Sequence, residues 1–350
     1  MRIGVVCPYD IGRPGGVQQL SGELTARLRD MGEDVVFVGA GESWFEGGPG
    51  LDDVTIPVGR STSIRANESL VPLRLNPIGW RRVRRALEEV DVIHVHEPLA
   101  PMVGWMALSI AKPTVATFHA DPPAWVPYVY RYAPWVAGRL RDSTITAVSP
   151  TAATALPSGW GEPHIVPNAI DVASYQLTVD REDLRVAFLG RDEPRKGLSV
   201  LLDAWPTVHS RYPDSELVVM GADRGDDRPG VRFTGPVSGE EKRRLLASSR
   251  VFVAPNLGGE SFGIVVIEAM AAGCAVVASD LPSFLDVTGG DSAVHVPKGD
   301  GSALAAAISD LLGDGPTAMA LGEAGRERAQ RYDWPVVVEE YRRLYAKAGS

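Results

Sequence analysis

The chain has 350 residues, 45% of them apolar and 23% charged, enough core material for two ordinary domains and no signature of disorder. Its 35 basic and 44 acidic side chains leave a net charge of −9, which argues against the broad basic footprint that nucleic acid requires. The two cysteines, Cys7 and Cys274, lack metal-ligand spacing, which excludes a disulfide scaffold or a Cys-type zinc site and suits a reducing cytosol. No apolar run reaches about 18 residues, so no helix is expected to cross a bilayer. Met1 to Val6 reads as a strand rather than a signal peptide. The expectation is a soluble intracellular protein.

In chain order, Arg2–Val6, Asp34–Val38, Asp91–Val95, Thr114–Phe118 and Thr144–Val148 are β-rich runs of buried-strand type. Val17, Leu20, Leu24, Leu28 and Met31 share one helical face between the first two, and Gly32 supplies the stop. This is the rhythm of a parallel sheet. Gly12-Arg13-Pro14-Gly15-Gly16-Val17-Gln18 follows the first strand where a dinucleotide fingerprint belongs, but it is not G-x-G-x-x-G. Paired glycines there let a ligand approach the backbone or simply make a tight turn.

Asn76 and Pro77 open a helix that runs to Val90. Trp80, Val83, Leu87 and Val90 form its apolar face, and Arg81, Arg82, Arg84 and Arg85 lie opposite. Arg84–Glu88 and Arg85–Glu89 are i,i+4 pairs, yet the arginine comes first in each, the weaker order. In an acidic protein such a cluster suits docking on anionic lipid, with a plain solvated helix as the alternative. His94 and His96 alternate with Ile93 and Val95, so at least one is expected to be a buried, satisfied imidazole. His119 ends the strand Thr114–Phe118.

The rhythm restarts at Arg185–Leu189 after a linker running from Pro167 to Asp180. Strands follow at Glu216–Met220, Val231–Thr234, Val251–Ala254, Ala275–Ser279 and Ala293–Val296. Two doubly wound domains are therefore expected, residues 1–170 with 333–350 and residues 171–332. Ligands in such sheets lie at the carboxyl ends of strands, so two facing sheets would offer a cleft. The segment Trp334 to Tyr345 follows the completed second domain and is expected to pack back across both.

The most informative stretch runs from Gly258 to Gly273. Its glycines and Ser261 open a helix whose free N–H groups make an anion site suited to a pyrophosphate. Glu260 precedes that helix and Glu268 lies inside it. Carboxylates beside an anion are costly unless they hold hydroxyl groups. A sugar nucleotide, with phosphates in the middle and hydroxyls at both ends, resolves the conflict. Arg191 and Lys196, just beyond the strand Arg185–Leu189, could neutralise the diphosphate and stabilise it as a leaving group.

These residues carry a resemblance. Glu260 and Glu268 form the E-x7-E pattern, and Arg191 with Lys196 the R-x4-K pattern, of retaining GT-B glycosyltransferases. Within that group the chain is similar to the phosphatidyl-myo-inositol mannosyltransferases of actinobacteria. The match runs from Val6-Cys7-Pro8-Tyr9 and Pro14-Gly15-Gly16-Val17-Gln18, through His94-Val95-His96-Glu97-Pro98, Ala116-Thr117-Phe118-His119 and Val166-Pro167-Asn168, to Tyr332-Asp333-Trp334. The resemblance implies a GT-B fold and retaining transfer of mannose from GDP-mannose to phosphatidyl-myo-inositol, without a metal or other cofactor. It implies donor contacts at Gly16, Arg191, Lys196, Glu260, Ser261, Phe262, Gly263 and Glu268, with Glu268 on the ribose and Glu260 on the mannose. Guanine would lie near Gly235 to Val237 and Lys242, and His119 would touch the donor sugar. Tyr9 and Gln18 would face inositol, Asn67, Ser69 and Arg74 would hold the lipid head group, and the basic helix would bind the inner face of the cell membrane. Another donor or acceptor on the same fold, and a non-catalytic lipid-docking protein, remain the alternatives at this point.

Overall fold

The computed structural model describes residues 1–59, 63–66, 69–72, 77–120, 126–225 and 227–349, with 63–66, 69–72 and 77–79 described as backbone. The chain divides into two compact units, Met1–Ala169 with Trp334–Ser350, and Ile170–Asp333.

The first unit contains β1 (Arg2–Asp10), α1 (Gly16–Asp30), β2 (Asp34–Ala40), β3 (Thr55–Pro57), β4 (Ser63–Ala66), β5 (Ser69–Pro72) and α2 (Pro77–Glu88). It continues with β6 (Val92–His96), α3 (Val103–Leu108), β7 (Thr114–Phe118), α4 (Val126–Tyr132), α5 (Pro134–Arg141), β8 (Thr144–Ala147), α6 (Pro150–Ala153) and β9 (His164–Ile165). Among the described residues these form a parallel sheet in the order β3-β2-β1-β6-β7-β8-β9, with β4 and β5 pairing as an antiparallel hairpin. Strands β6 and β7 are buried along their whole length, as a parallel sheet covered on both faces requires.

β1 continues four residues past the expected end at Val6. Pro8 is tolerated because pairing with β6 ends at Val6, and the register with β2 breaks between Cys7 and Asp10. A missing N–H therefore costs no ladder bond. On α1, Leu20, Leu24 and Leu28 are buried as expected, but Met31 is 43% exposed, because it stands beyond the last helical turn as the C-cap.

The second unit contains β10 (Glu182–Leu189), α7 (Leu198–Arg211), β11 (Glu216–Met220), β12 (Val231–Gly235), α8 (Gly239–Ser248), β13 (Ser249–Ala254) and α9 (Ile264–Ala271). It is completed by β14 (Ala275–Ser279), α10 (Pro282–Thr288), β15 (Val294–Val296), α11 (Gly301–Gly313) and α12 (Gly315–Ala329). Its parallel sheet has the order β12-β11-β10-β13-β14-β15. The strand order reverses at β10 and β13, the switch point where a doubly wound sheet leaves room for a ligand beyond its strand ends. Val172 to Tyr175, expected as linker, is a 3-10 turn in this unit with Val172 and Tyr175 buried.

The last helix, α13 (Trp334–Gly349), belongs to the first unit. Trp334, Val337, Tyr341 and Tyr345 enter the same core as Ile3, Val5, Phe37 and Leu24. The Trp334 indole donates to Glu23 at 2.9 Å, and Arg342 pairs with Glu33 at 3.0 Å. Among the described residues no helix is long and apolar enough to cross a membrane.

Candidate active site

In the second unit, two loops leave the adjacent strands β10 and β13 and lock together. The Leu257 amide donates to the Arg195 carbonyl at 2.8 Å, and the Arg195 guanidinium donates to the Gly259 carbonyl at 2.8 Å. Gly197 lies between them with φ 71°, and a Cβ there would come within 1.9 Å of the Pro255 carbonyl oxygen. Only glycine combines that backbone with that approach. Gly263, with φ 106°, closes the second loop as the N-cap of α9, and a Cβ on it would meet Phe284 at 2.9 Å.

The interlock brings Lys196 to Glu260. The Lys196 ammonium lies 2.7 Å from Glu260 Oε2, and the Asn256 amide donates to the same oxygen at 3.0 Å. About one turn along α9, Glu268 is 6% exposed. Its Oε1 receives the Lys242 ammonium of α8 at 2.6 Å and the Tyr175 hydroxyl at 2.6 Å. In both glutamates the lysine is held by one oxygen, and the other, Oε1 of Glu260 and Oε2 of Glu268, has no hydrogen-bond partner among the described residues. A carboxylate offers about four lone-pair sites, so each can still accept from a hydroxyl while its charge is balanced. The lysines thus relieve the repulsion that two carboxylates would impose on a nearby anion.

Not every candidate lies where the sequence places it. Arg191 pairs with Glu193 at 2.9 Å and is well exposed. Lys242, expected near a base, reaches Glu268, because α8 packs on α9 and the Lys242 stem spans the gap. Phe262 is buried with its ring edge-on to Tyr332 at 5.8 Å, so it anchors the loop, whereas Ser261 and Val237 are half-buried. Tyr175 and Asn256 were missed by sequence reasoning. Tyr175 is 93 residues from its glutamate, beyond any local pattern, whereas Asn256 stands only four residues before Glu260.

In the first unit the strand ends gather a second cluster. His94 is satisfied, Nδ1 by the Tyr345 hydroxyl at 2.7 Å and Nε2 by Thr117 at 2.6 Å. His96, two residues on along the same face, has its Nδ1 2.8 Å from His119 Nε2, while its buried Nε2 has no partner among the described residues. Burial holds the imidazoles neutral: His94 falls to about 3, His119 to about 4 against an opposing pull from Asn168, and His96 well below its usual value. Glu97 is 9% exposed. Its Oε1 accepts the amides of His119 at 2.8 Å and Ala120 at 2.7 Å. Burial pushes its carboxyl up to about 7 although both amides pull the other way. Its φ of 48° is left-handed, a cost of about 1–2 kcal/mol for a residue with a Cβ.

Tyr9, the last but one residue of β1, is half-buried, its hydroxyl pushed well above the usual value by burial and by the charge of Glu97. Gln18 is buried and donates to the Asp10 carbonyl at 3.3 Å. A Cβ at Gly16 would meet nothing within 4 Å. Asn67 and Arg74 lie outside the described residues, and Ser69 is described by its backbone alone. α2 ends at Glu88, two residues short of the expected Val90; Val83 and Leu87 on it are buried, Trp80 is half-buried and Val90 is buried just past its end, while Arg81, Arg82, Arg84 and Arg85 are exposed. Arg84 pairs with Glu88 at 2.8 Å, but the expected Arg85–Glu89 pair is replaced by Glu89 with Arg2 at 3.1 Å.

Comparison with known proteins places these features. A family model described as "Glycosyl transferases group 1" matches residues 183–314, and one described as "Glycosyltransferase Family 4" matches residues 14–174. The phosphatidyl-myo-inositol mannosyltransferase of Mycolicibacterium smegmatis is 38% identical, over 99% of this chain and 93% of its own length. The protein of the same name from Propionibacterium freudenreichii is 35% identical, over 100% of this chain and 96% of its own. The chain belongs to this glycosyltransferase family. Its fold is GT-B: a structure of Anabaena Alr3699/HepE in complex with UDP superposes with a TM-score of 0.77 at 18% identity, covering 99% of this chain and all of that one. Sucrose-phosphate synthase from Thermosynechococcus elongatus superposes at 0.71 and 20% identity, covering 99% and 98%. In this glycosyltransferase the E-x7-E pair, Lys196 and Lys242 lie in the part matched by the first family model, and Tyr9 falls just ahead of the second, which takes in Gln18 and His119.

Proposed function

We propose that the chain transfers mannose from GDP-mannose to phosphatidyl-myo-inositol, with retention at the anomeric carbon, at the cytoplasmic face of the membrane. The names of the similar actinobacterial proteins support the sugar and the acceptor. The observation that carries the reading is the pair of lysine-balanced glutamates, each with one oxygen left to accept a hydroxyl. Residues 171–332 take the nucleotide sugar, and residues 1–170 with 333–350 take the acceptor.

In this reading Glu268 accepts from the ribose and Glu260 from the mannose. Lys196 gives one N–H to Glu260 and keeps two for the diphosphate. Together with Arg191 and the first-turn amides of α9, it stabilises the charge that grows on the leaving group. Positive charge from the protein thereby does what a metal ion would otherwise do. The open space over Gly16 receives donor phosphate, while Tyr9 and Gln18 meet inositol. His119 is neutral at physiological pH, which suits a hydrogen bond to the sugar and not proton donation from an imidazolium. The acceptor proton passes to the departing phosphate on the same face.

A thermal-shift panel of GDP, UDP and ADP sugars, followed by transfer to phosphatidylinositol in vesicles, tests the reading. The expected result is the largest shift with GDP-mannose and labelled mannose in the lipid fraction. A shift confined to UDP or ADP sugars would overturn the donor, and label reaching only water would overturn the acceptor.

A further inference from the structure

His119 is held from two sides by consecutive residues of one strand end. His96 takes the ring, Nδ1 to Nε2 at 2.8 Å, and Glu97 takes the main chain. β6 and β7 are paired up to His96 opposite Thr117. Past that point a strand end would leave its amides to solvent. Here Glu97 Oε1 receives the His119 and Ala120 amides at 2.8 and 2.7 Å, while the Glu97 amide donates to the Thr117 carbonyl at 2.8 Å. The Glu97 carbonyl in turn accepts the Ala100 amide at 2.9 Å. The restraint therefore reaches His119 and Ala120, two and three residues beyond Thr117 in the last ladder pair.

The residue type is informative. A left-handed φ is adopted most cheaply by glycine, then by asparagine or aspartate, yet a glutamate occupies this position at φ 48°. Glycine would remove the strain and lose the acceptor. Asparagine would reduce the strain but shorten the reach by one methylene. A buried carboxylate without a cation among its hydrogen-bond partners is also expensive unless its lone pairs are used. Backbone strain and burial are thus both borne at the one residue that fixes where β7 ends.

We propose that Glu97 is a positioning residue for glycosyl transfer: by accepting both amides it sets the place and direction in which His119 meets the donor sugar. This rests on the reading of His119 given above. A displacement of about 1 Å at a reacting centre is worth on the order of 100-fold in rate, whereas most of the proposed donor contacts, those to ribose and diphosphate, lie in the other unit, so donor affinity should depend little on this carboxylate.

The test compares Glu97→Gln and Glu97→Ala in the full chain. Glutamine keeps an acceptor oxygen at the same reach, so kcat is expected to stay within about fivefold; alanine removes the acceptor and is expected to lower kcat by about thirtyfold or more. Donor Kd by calorimetry is expected to move less than about threefold in either variant, giving a split that general loss of structure would not produce. Amide proton spectra give a readout independent of turnover and of whether alanine is tolerated. Recorded about one and a half pH units above the carboxyl's value near 7, Glu97→Gln replaces a charged acceptor by a neutral one and should shift the His119 and Ala120 resonances. Alanine leaving kcat unchanged, donor affinity falling in step with kcat, or both amide resonances staying in place in Glu97→Gln would each overturn the proposal. Should the unaltered chain turn over another nucleotide sugar in place of GDP-mannose, the donor assignment falls, and the same comparison with that sugar still judges Glu97.

Discussion

At the scale of single residues, Glu268 separates charge balance from hydroxyl recognition. Glu268→Gln keeps an oxygen for the Tyr175 hydroxyl or for a ribose but leaves Lys242 without the carboxylate now 2.6 Å away. Hydrogen bonds to charged groups contribute about 1.5–3 kcal/mol, so nucleotide-sugar binding should weaken by about tenfold or more in calorimetry. Unchanged affinity would remove Glu268 from the donor site. Gly197→Ala tests the interlocked loops instead. At φ 71° and with a Cβ 1.9 Å from the Pro255 oxygen, the methyl group must drive the two loops apart. The melting temperature should fall, and donor affinity should fall with it because Lys196 is the neighbouring residue. Glu260, Glu268 and Lys196 were legible because short spacings on one loop and one helix carry them. Tyr175 was not, since its bond to Glu268 exists only after the chain has folded back over many residues. Glu97 stood inside a quoted motif, but its left-handed φ and its reach to the β7 end are not written in any local pattern.

At the scale of elements, α2 is the clearest case. Its apolar face was readable from helical spacing: Val83 and Leu87 are buried, as is Val90 just past the helix end, and Trp80 is half-buried. What the pattern could not show is that Glu89 turns to Arg2, so only one of the two i,i+4 pairs forms. Arg81, Arg82 and Arg85 have no ion-pair partner among the described residues, and all four arginines remain exposed. Each basic side chain near an anionic bilayer contributes about 1 kcal/mol. Replacing all four with serine should therefore release the protein from phosphatidylserine vesicles in sedimentation at moderate salt while leaving donor affinity unchanged. A variant that still pellets with the vesicles would end the membrane reading of α2. Strand ends were the least legible feature, as β1 shows. A proline ends a strand only where an N–H is needed for pairing, and that depends on neighbours far away in sequence.

At the scale of the whole molecule, the two units differ in how they meet acid. His94, His96, His119 and Glu97 all lie in the first unit, and all are buried. The three imidazoles titrate below their unfolded value near 6.5, His94 at about 3 and His119 at about 4. Their contribution to stability is present above pH 6.5 and is lost as pH falls toward those folded values. Glu97 acts oppositely. Its carboxyl titrates at about 7 when folded, against 4.5 otherwise, so it favours the folded state at low pH and withdraws that support as pH rises through the same window. Three histidines against one carboxyl leave a net uptake of roughly two protons on unfolding between pH 6.5 and 4.5, a slope of about 2–3 kcal/mol per pH unit. Below 4.5 Glu97 ceases to oppose, but His119 begins to take up its proton in the folded state near 4 and His94 near 3, so the slope levels off and then declines. Seven of the eight tryptophans, all except Trp205, belong to the first unit, so fluorescence follows that unit almost alone. Acid titration should therefore show the tryptophan signal changing at a higher pH than the far-ultraviolet dichroism retained by the second unit. A single coincident transition would mean that the buried histidine cluster does not govern acid stability.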